Sequence, residues 1–303
     1  MSGVQMLGDT DRDPTAGSSE FCILNSELTV NLMTSKIAET FQRLRNDGRK
    51  AFIPFVTAGD PDLGTSVALV AEMERSGCHI VELGIPFSDP LADGPVIQRA
   101  SERALRHGYR FADYLAAVRE IRKQSAVPIV LFSYFNPILQ YGLDRLAGDA
   151  AAAGVDGVLV TDVTPEEADE YCACMGRHGL DPVFLVAPTS SPERVARILS
   201  CCRGFVYVVS RTGVTGARVR LSDAVLPTVS RVRAQTSLPI AVGFGISQPE
   251  HVRSVWEVAD GAVVGSAIVA EIERLQNSPG MVAQVGAFCR WLIEGTSCQV
   301  QKL

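Results

Sequence analysis

Glu82 places a carboxylate between Ile80, Val81, Leu83 and Ile85, in a stretch that otherwise reads as a buried strand. Burying an unpaired carboxylate is costly, so a charge kept there implies a task. Apolar surroundings predict a raised pKa, which suits a group that gives and takes a proton near neutral pH. Asp93 follows in the loop "PFSDPLADG" (86–94), beside Gly94. In that more polar setting it is expected to stay ionised and stabilise developing positive charge, so that two nearby carboxylates divide the work. Two other uses stay open. Asp93 could cap the helix expected to begin near Pro95. Glu82, Asp89 and Asp93 could offer oxygen ligands to Mg²⁺, although no paired histidine or further acid cluster supports that.

A second group of residues is rich in glycine: "SRTGVTG" (210–216), "GFGIS" (243–247) and "GSAIV" (265–269), each following a short apolar run. Glycine lets backbone N–H groups approach an anion, and a helix N-terminus favours one. Gly245, Gly265 and Ser266 are the natural donors to a phosphate, with Gly216 closing from the side. Arg211, Thr212, Arg218 and Arg220 share the first of these loops, whose length and flanking glycines suit closure over a ligand. Phe132, Tyr134 and Asn136 end one apolar run and Tyr207 lies near the end of another. Such aromatics serve as core or line a pocket for a flat apolar group. His79, His107, His178 and His251 are scattered, and none is assigned a role.

The elements that must position these residues alternate along the chain. Apolar runs at 51–57, 79–83, 128–133, 157–160, 182–187, 204–209, 239–242 and 261–264 are four to eight residues long and mostly begin near Gly or Pro, as buried parallel strands do. Amphipathic stretches at 64–76, 111–124, 165–178 and 192–202 lie between them. Strand–helix alternation with eight strands predicts a closed (β/α)₈ TIM barrel, with a doubly wound open sheet as the rival. Residues 280–294 are expected to form the last helix. A helix before the first strand is expected from Ile37, Phe41 and Leu44, with Gly48 ending it. In such a barrel the site forms at the C-terminal strand ends, where Glu82, Asp93 and the glycine groups fall.

Composition sets the class. The 303 residues are 47% hydrophobic, enough for one large core, and the net charge of −6 leaves no basic footprint for nucleic acid. Residues 1–32 hold five acids against the single Arg12 and show weak periodicity, so they are expected to be a flexible acidic extension, with the catalytic barrel in 33–303 and Met33 an alternative start. No apolar run nears the roughly 20 residues of a membrane-spanning helix, and no secretory pattern opens the chain. The cytoplasm is expected. The eight cysteines match no zinc spacing and are expected to be free thiols.

Five segments together resemble a known family: "FIPFVTAGDPD" (52–62), "VELGIPFSDPLADGPVIQ" (81–98), "FNPILQYG" (135–142), "SRTGVTGAR" (210–218) and "GFGIS" (243–247). In order and spacing, from about Ser35 to about Glu294, the chain is similar to tryptophan synthase alpha subunits. The resemblance implies a carbon–carbon lyase that cleaves indole-3-glycerol phosphate by retro-aldol chemistry to indole and glyceraldehyde 3-phosphate. It implies that Glu82 is the general acid/base at indole C3 and the glycerol hydroxyl, and that Asp93 meets the indole N–H. Tyr207 matches a pocket tyrosine, Thr215 a loop threonine that orders Asp93, and Phe244 the pocket wall. Gly216, Gly245, Gly265 and Ser266 match the phosphate cradle. The family implies no cofactor in this chain. Pyridoxal phosphate belongs to a beta subunit that receives the indole in an alpha-beta-beta-alpha complex, and no lysine here stands out as a Schiff-base site. Asp89 and the "NPILQYG" loop match surfaces that face that partner. A stand-alone lyase releasing free indole, or an inactive barrel regulating a beta partner, are the alternatives. Val163 and Thr164 stand where Leu-Pro is usual, and Phe132 where a smaller aliphatic residue is common. Neither departure touches the two carboxylates.

Overall fold

The computed structural model describes residues 35–209, 225–243 and 245–295. Eight parallel strands close into a barrel in sequence order: β1 (Ala51–Thr57), β2 (Val81–Gly84), β3 (Ile129–Ser133), β4 (Gly157–Val160), β5 (Asp181–Val186), β6 (Val206–Val209), β7 (Ile240–Gly243) and β8 (Gly261–Val264). The chain thus forms the TIM barrel expected from its strand–helix alternation, and the open sheet is ruled out by the pairing of β1 with β8. The helices are α1 (Lys36–Asn46), α2 (Leu63–Arg75), α3 (Pro95–Leu105), α4 (Phe111–Arg122), α5 (Phe135–Tyr141), α6 (Leu143–Ala153), α7 (Asp169–Arg177), α8 (Pro192–Cys201), α9 (Val225–Arg233), α10 (Pro249–Val258), α11 (Ser266–Leu275) and α12 (Met281–Glu294).

Side chains on a strand alternate between its two faces, and that alternation separates two cores. Val81 and Leu83, Ile129 and Leu131, Val158 and Val160, Val206 and Val208 point outward and pack under the helices. Ile53 and Phe55, Ile80, Val130 and Phe132, Leu159, Val183, Phe205 and Tyr207, and Val263 point inward. The inward set is continuous with Ile37, Phe41 and Leu44 of α1, and the rings of Phe41 and Phe205 lie 5.8 Å apart. α1 therefore stoppers the N-terminal end of the barrel. Ser35 starts α1 by accepting the Ala38 N–H at 3.1 Å, and Gly48 follows its end at a positive φ of 65°, as its spacing suggested.

Two boundaries depart from the sequence expectation. The segment 135–142, read as a loop, is the short helix α5, with Pro137 in the first turn, where a missing N–H costs no intrahelical bond. The helix expected over 165–178 starts only at Asp169, because Thr164 and Glu167 close a turn before it through a backbone bond of 3.1 Å. The six described cysteines are free thiols. Among the described residues no helix is long and apolar enough to cross a membrane.

Candidate active site

Strand parity decides where Glu82 points. Ile80 belongs to the inner core and Val81 and Leu83 to the outer one, so Glu82 projects into the barrel, opposite Phe55 on β1 and Val130 on β3. Its exposure is 0%, and among the described residues neither carboxylate oxygen has a hydrogen-bond partner. Burial with nothing to offset it raises its pKa from 4.5 to about 8. Glu82 is thus mostly protonated at neutral pH, ready to donate a proton and then to accept one.

Aromatic rings make the wall around it. Phe55 and Phe132 meet edge to face at 5.2 Å. Tyr207 is buried inside the barrel, and desolvation first, then the Glu82 charge, hold its phenol above the ordinary range. Two glycines create the space for these rings. A Cβ on Gly84 would lie 2.4 Å from the Phe55 ring, and one on Gly243 would lie 2.1 Å from the Tyr207 hydroxyl. Both contacts are far below what real Cβ atoms show, so each ring occupies its place only because its neighbour has no side chain.

Asp93 stands on the turn after β2, closed by its own N–H to the Pro90 carbonyl at 3.0 Å. Tyr134, at the end of β3, fixes it. The Tyr134 hydroxyl accepts the Ala92 N–H at 2.9 Å and donates to the Asp93 carboxylate, while the ring of Phe87 packs on Tyr134 at 5.1 Å. Burial raises the Asp93 pKa to about 6, with the Tyr134 bond pulling the other way. Asp93 is therefore less freely ionised than a polar loop suggests, yet it keeps its charge at neutral pH. It does not cap α3: Gly94 is the N-cap and no side chain serves it. Nor do Glu82, Asp89 and Asp93 converge as ion ligands. Glu82 is inside the barrel, whereas Asp89 is exposed and accepts the Ser88 hydroxyl at 2.6 Å.

The glycine groups are described in part. Gly245 is exposed at a φ of 78°, a left-handed conformation that favours glycine, and nothing lies within 4 Å of where its Cβ would be. Gly265 is the N-cap of α11, and Ser266 opens that helix exposed to solvent. A Cβ on Gly265 would meet Phe55 at an ordinary 3.6 Å, so packing alone does not demand glycine there. Thr215, Gly216 and Phe244, with the arginines of 210–220, lie outside the described residues.

Charged side chains tie the carboxylate side of the mouth to the glycine side. Arg103 on α3 makes two bonds of 2.8 Å to Asp60, which is buried in the loop after β1. Arg99 and Arg103 also grip Glu273 on α11, at 2.7 Å each. The helix that follows Asp93 and the helix that begins at Ser266 are thereby clamped to each other.

Several contributors escaped the sequence reading. Phe55 and Thr57 share the inner parity of β1, and the Thr57 hydroxyl is buried without a hydrogen-bond partner among the described residues. Counting by twos from Ile53 finds both. Gly84 and Gly243 look like ordinary strand ends, and only the ring positions reveal their purpose.

This geometry has known relatives. A sequence profile described as Tryptophan synthase alpha chain matches residues 41–296. The chain belongs to the tryptophan synthase alpha chain family. It is 51% identical over 261 residues to the tryptophan synthase alpha chain of Solibacter usitatus, covering 86% of this chain and 98% of that one. It is 53% identical over 240 residues to that of Geobacter sulfurreducens, covering 79% and 91%. Among solved structures, tryptophan synthase subunit alpha from Legionella pneumophila superposes with a TM-score of 0.78 at 38% identity, over 86% of this chain and 99% of that chain. A Mycobacterium tuberculosis tryptophan synthase chain gives 0.76 at 41% identity, over 85% and 99%. The family and the lyase class expected from the five segments both stand.

Proposed function

We propose that the chain cleaves indole-3-glycerol phosphate to indole and glyceraldehyde 3-phosphate, with Glu82 as the acid/base and Asp93 as the charge-stabilising carboxylate. The observation that carries this reading is Glu82 itself: fully buried, without a hydrogen-bond partner among the described residues, and held protonated to about pH 8 inside the barrel. Its proton goes to indole C3, placing positive charge on the ring nitrogen. Asp93, ionised at neutral pH, accepts the N–H hydrogen bond and stabilises that charge. The Glu82 carboxylate then takes the glycerol hydroxyl proton as the carbon–carbon bond breaks, which leaves Glu82 protonated again. Phe55, Phe132, Tyr134 and Tyr207 enclose the flat ring. Gly245, Gly265 and Ser266 hold the phosphate, joined by Gly216, with Thr215 ordering Asp93 and Phe244 closing the pocket.

A beta subunit is the partner, in an alpha-beta-beta-alpha assembly. Two observations favour that over a stand-alone lyase. Leu91, in the loop that carries Asp93, is 91% exposed, and Leu139 on α5 is 53% exposed. Both lie in segments matching the partner-facing surfaces of the family, and apolar side chains are left in water at such surfaces. The pyridoxal phosphate belongs to that partner, as the family resemblance implies. The cytoplasm is the place of work. Indole release by the purified chain, with and without a tryptophan synthase beta subunit, tests the assignment. A steep rise on adding the partner is expected. Full activity of the chain alone would favour the stand-alone lyase, and no release in either case would leave an inactive barrel.

A further inference from the structure

On the outside of the barrel, where α6 meets the end of α7, three side chains of different chemistry converge on one another. Asp144 lies in the first turn of α6, and Cys174 and His178 lie one turn apart at the end of α7. The Cys174 thiol is 3.7 Å from Asp144 Oδ1, and His178 Nε2 is 3.4 Å from that same oxygen. All three candidate ligand atoms lie within 4.8 Å of one another.

We propose that Asp144, Cys174 and His178 form a zinc site on the outer face of this barrel, completed by water. The spacing fits the ion. With bond lengths of about 2.3 Å to sulfur and about 2.1 Å to nitrogen and oxygen, a tetrahedral Zn²⁺ separates its sulfur and oxygen ligands by about 3.6 Å and its nitrogen and oxygen ligands by about 3.4 Å. The protein holds the two measured pairs at 3.7 and 3.4 Å. A thiolate, an imidazole and a carboxylate together suit zinc better than Mg²⁺ or Ca²⁺, which take oxygen ligands.

The three groups are also held in place before any ion arrives. Cys174 is 1% exposed, so its sulfur forms a fixed floor, whereas the Asp144 side chain is 73% exposed and offers the way in. The His178 ring rests against α6 at Gly148: a Cβ there would lie 3.4 Å from Cε1 of the ring. Glycine at that point lets the imidazole lie close to the helix carrying Asp144. One neighbour competes. Arg177 donates to the same Asp144 oxygen at 3.1 Å, and it must let go when the ion binds. Cys174 gives up its thiol proton to solvent, and the imidazole binds through an unprotonated Nε2.

Zn²⁺ titration of the full-length chain, stripped of metal and read by competition with a chromogenic chelator, tests the site. One equivalent should bind. His178→Ala and Asp144→Ala, both on the surface and outside the barrel core, should each weaken binding by at least about tenfold. Arg177→Ala should strengthen it, because the competing guanidinium is gone. Co²⁺ in place of zinc should show a thiolate-to-metal band in the near ultraviolet that Cys174→Ser abolishes. Binding unchanged in His178→Ala or Asp144→Ala would overturn the proposal, as would the absence of a stoichiometric ion. Binding that disappears with Cys172→Ser instead belongs to the neighbouring thiols and overturns it too.

Discussion

Both ends of the barrel bury carboxylates, but they treat them in opposite ways. At the N-terminal end, Asp156 precedes β4 and accepts the Ile129 N–H at 2.8 Å and Arg122 at 2.7 Å, with Lys36 at 3.8 Å. Asp260 precedes β8 and does the same with the Ile240 N–H, Arg233 and Lys50. The device is repeated in the sequence itself. Arg122 and Arg233 each open a matching stretch, "RKQSAVPI" (122–129) and "RAQTSLPI" (233–240), that leads into the strand whose first N–H the aspartate accepts. Asp181 is intermediate, with a Ser35 bond beside an oxygen that has no partner among the described residues. At the C-terminal end neither Glu82 oxygen has a hydrogen-bond partner among the described residues. A paired buried carboxylate holds strands in register, whereas an unpaired one keeps its proton available and costs stability.

Four experiments bear on that contrast. The largest effect is expected for Glu82→Gln, which should lower turnover by at least about a hundredfold while the fold is kept, since only the acid/base group is lost. Near-normal turnover measured by indole release would remove Glu82 from the chemistry. Asp156→Asn should do the reverse. Leaving Arg122 with a neutral partner should cost about 2–3 kcal/mol in urea unfolding, with kcat/KM unchanged. A loss of activity without loss of stability would erase the distinction between the two ends.

The pH dependence of kcat/KM sharpens the comparison within the site. Activity should fall below about 6 as Asp93 takes up a proton, and again above about 8 as Glu82 loses one. A profile without the alkaline limb would mean that Glu82 does not act as an acid. The smallest effect concerns stability. The folded pKa of Glu82 lies above its ordinary 4.5, so its contribution is fully present below that value and is lost as pH rises through about 8. Glu82→Gln should therefore raise the thermal unfolding midpoint over wild type at alkaline pH and leave it unchanged in acid. The same gain at every pH would argue for altered packing instead.

Much of this was legible from residue order. Eight apolar runs and the stretches between them foretold the barrel, and the oddity of Glu82 among Ile and Leu pointed to a carboxylate buried without a hydrogen-bond partner among the described residues. α5 was not legible, because seven residues with a proline read as loop until the first-turn position of Pro137 is known. Asp93 lies on the turn after β2, but its raised pKa was not legible: burial raises it, and the Tyr134 hydroxyl that holds it comes from the far end of β3. The spaces that Gly84 and Gly243 provide depend on rings from β1 and β6, and no local pattern links those positions. The His178 ring on Gly148 is similar: it joins two successive helices across the intervening β4, and the residue pattern of neither helix shows the contact.

The stopper made by Ile37, Phe41 and Leu44 has a consequence for traffic. A vessel sealed by side chains at its base exchanges molecules only at its rim, so substrate arrival and product departure share a single doorway. Leu91, on the loop after β2, and Leu139, on α5, stand exposed at that rim. Anything that leaves must therefore pass Leu91 or Leu139, so a surface laid over that rim would meet the product first.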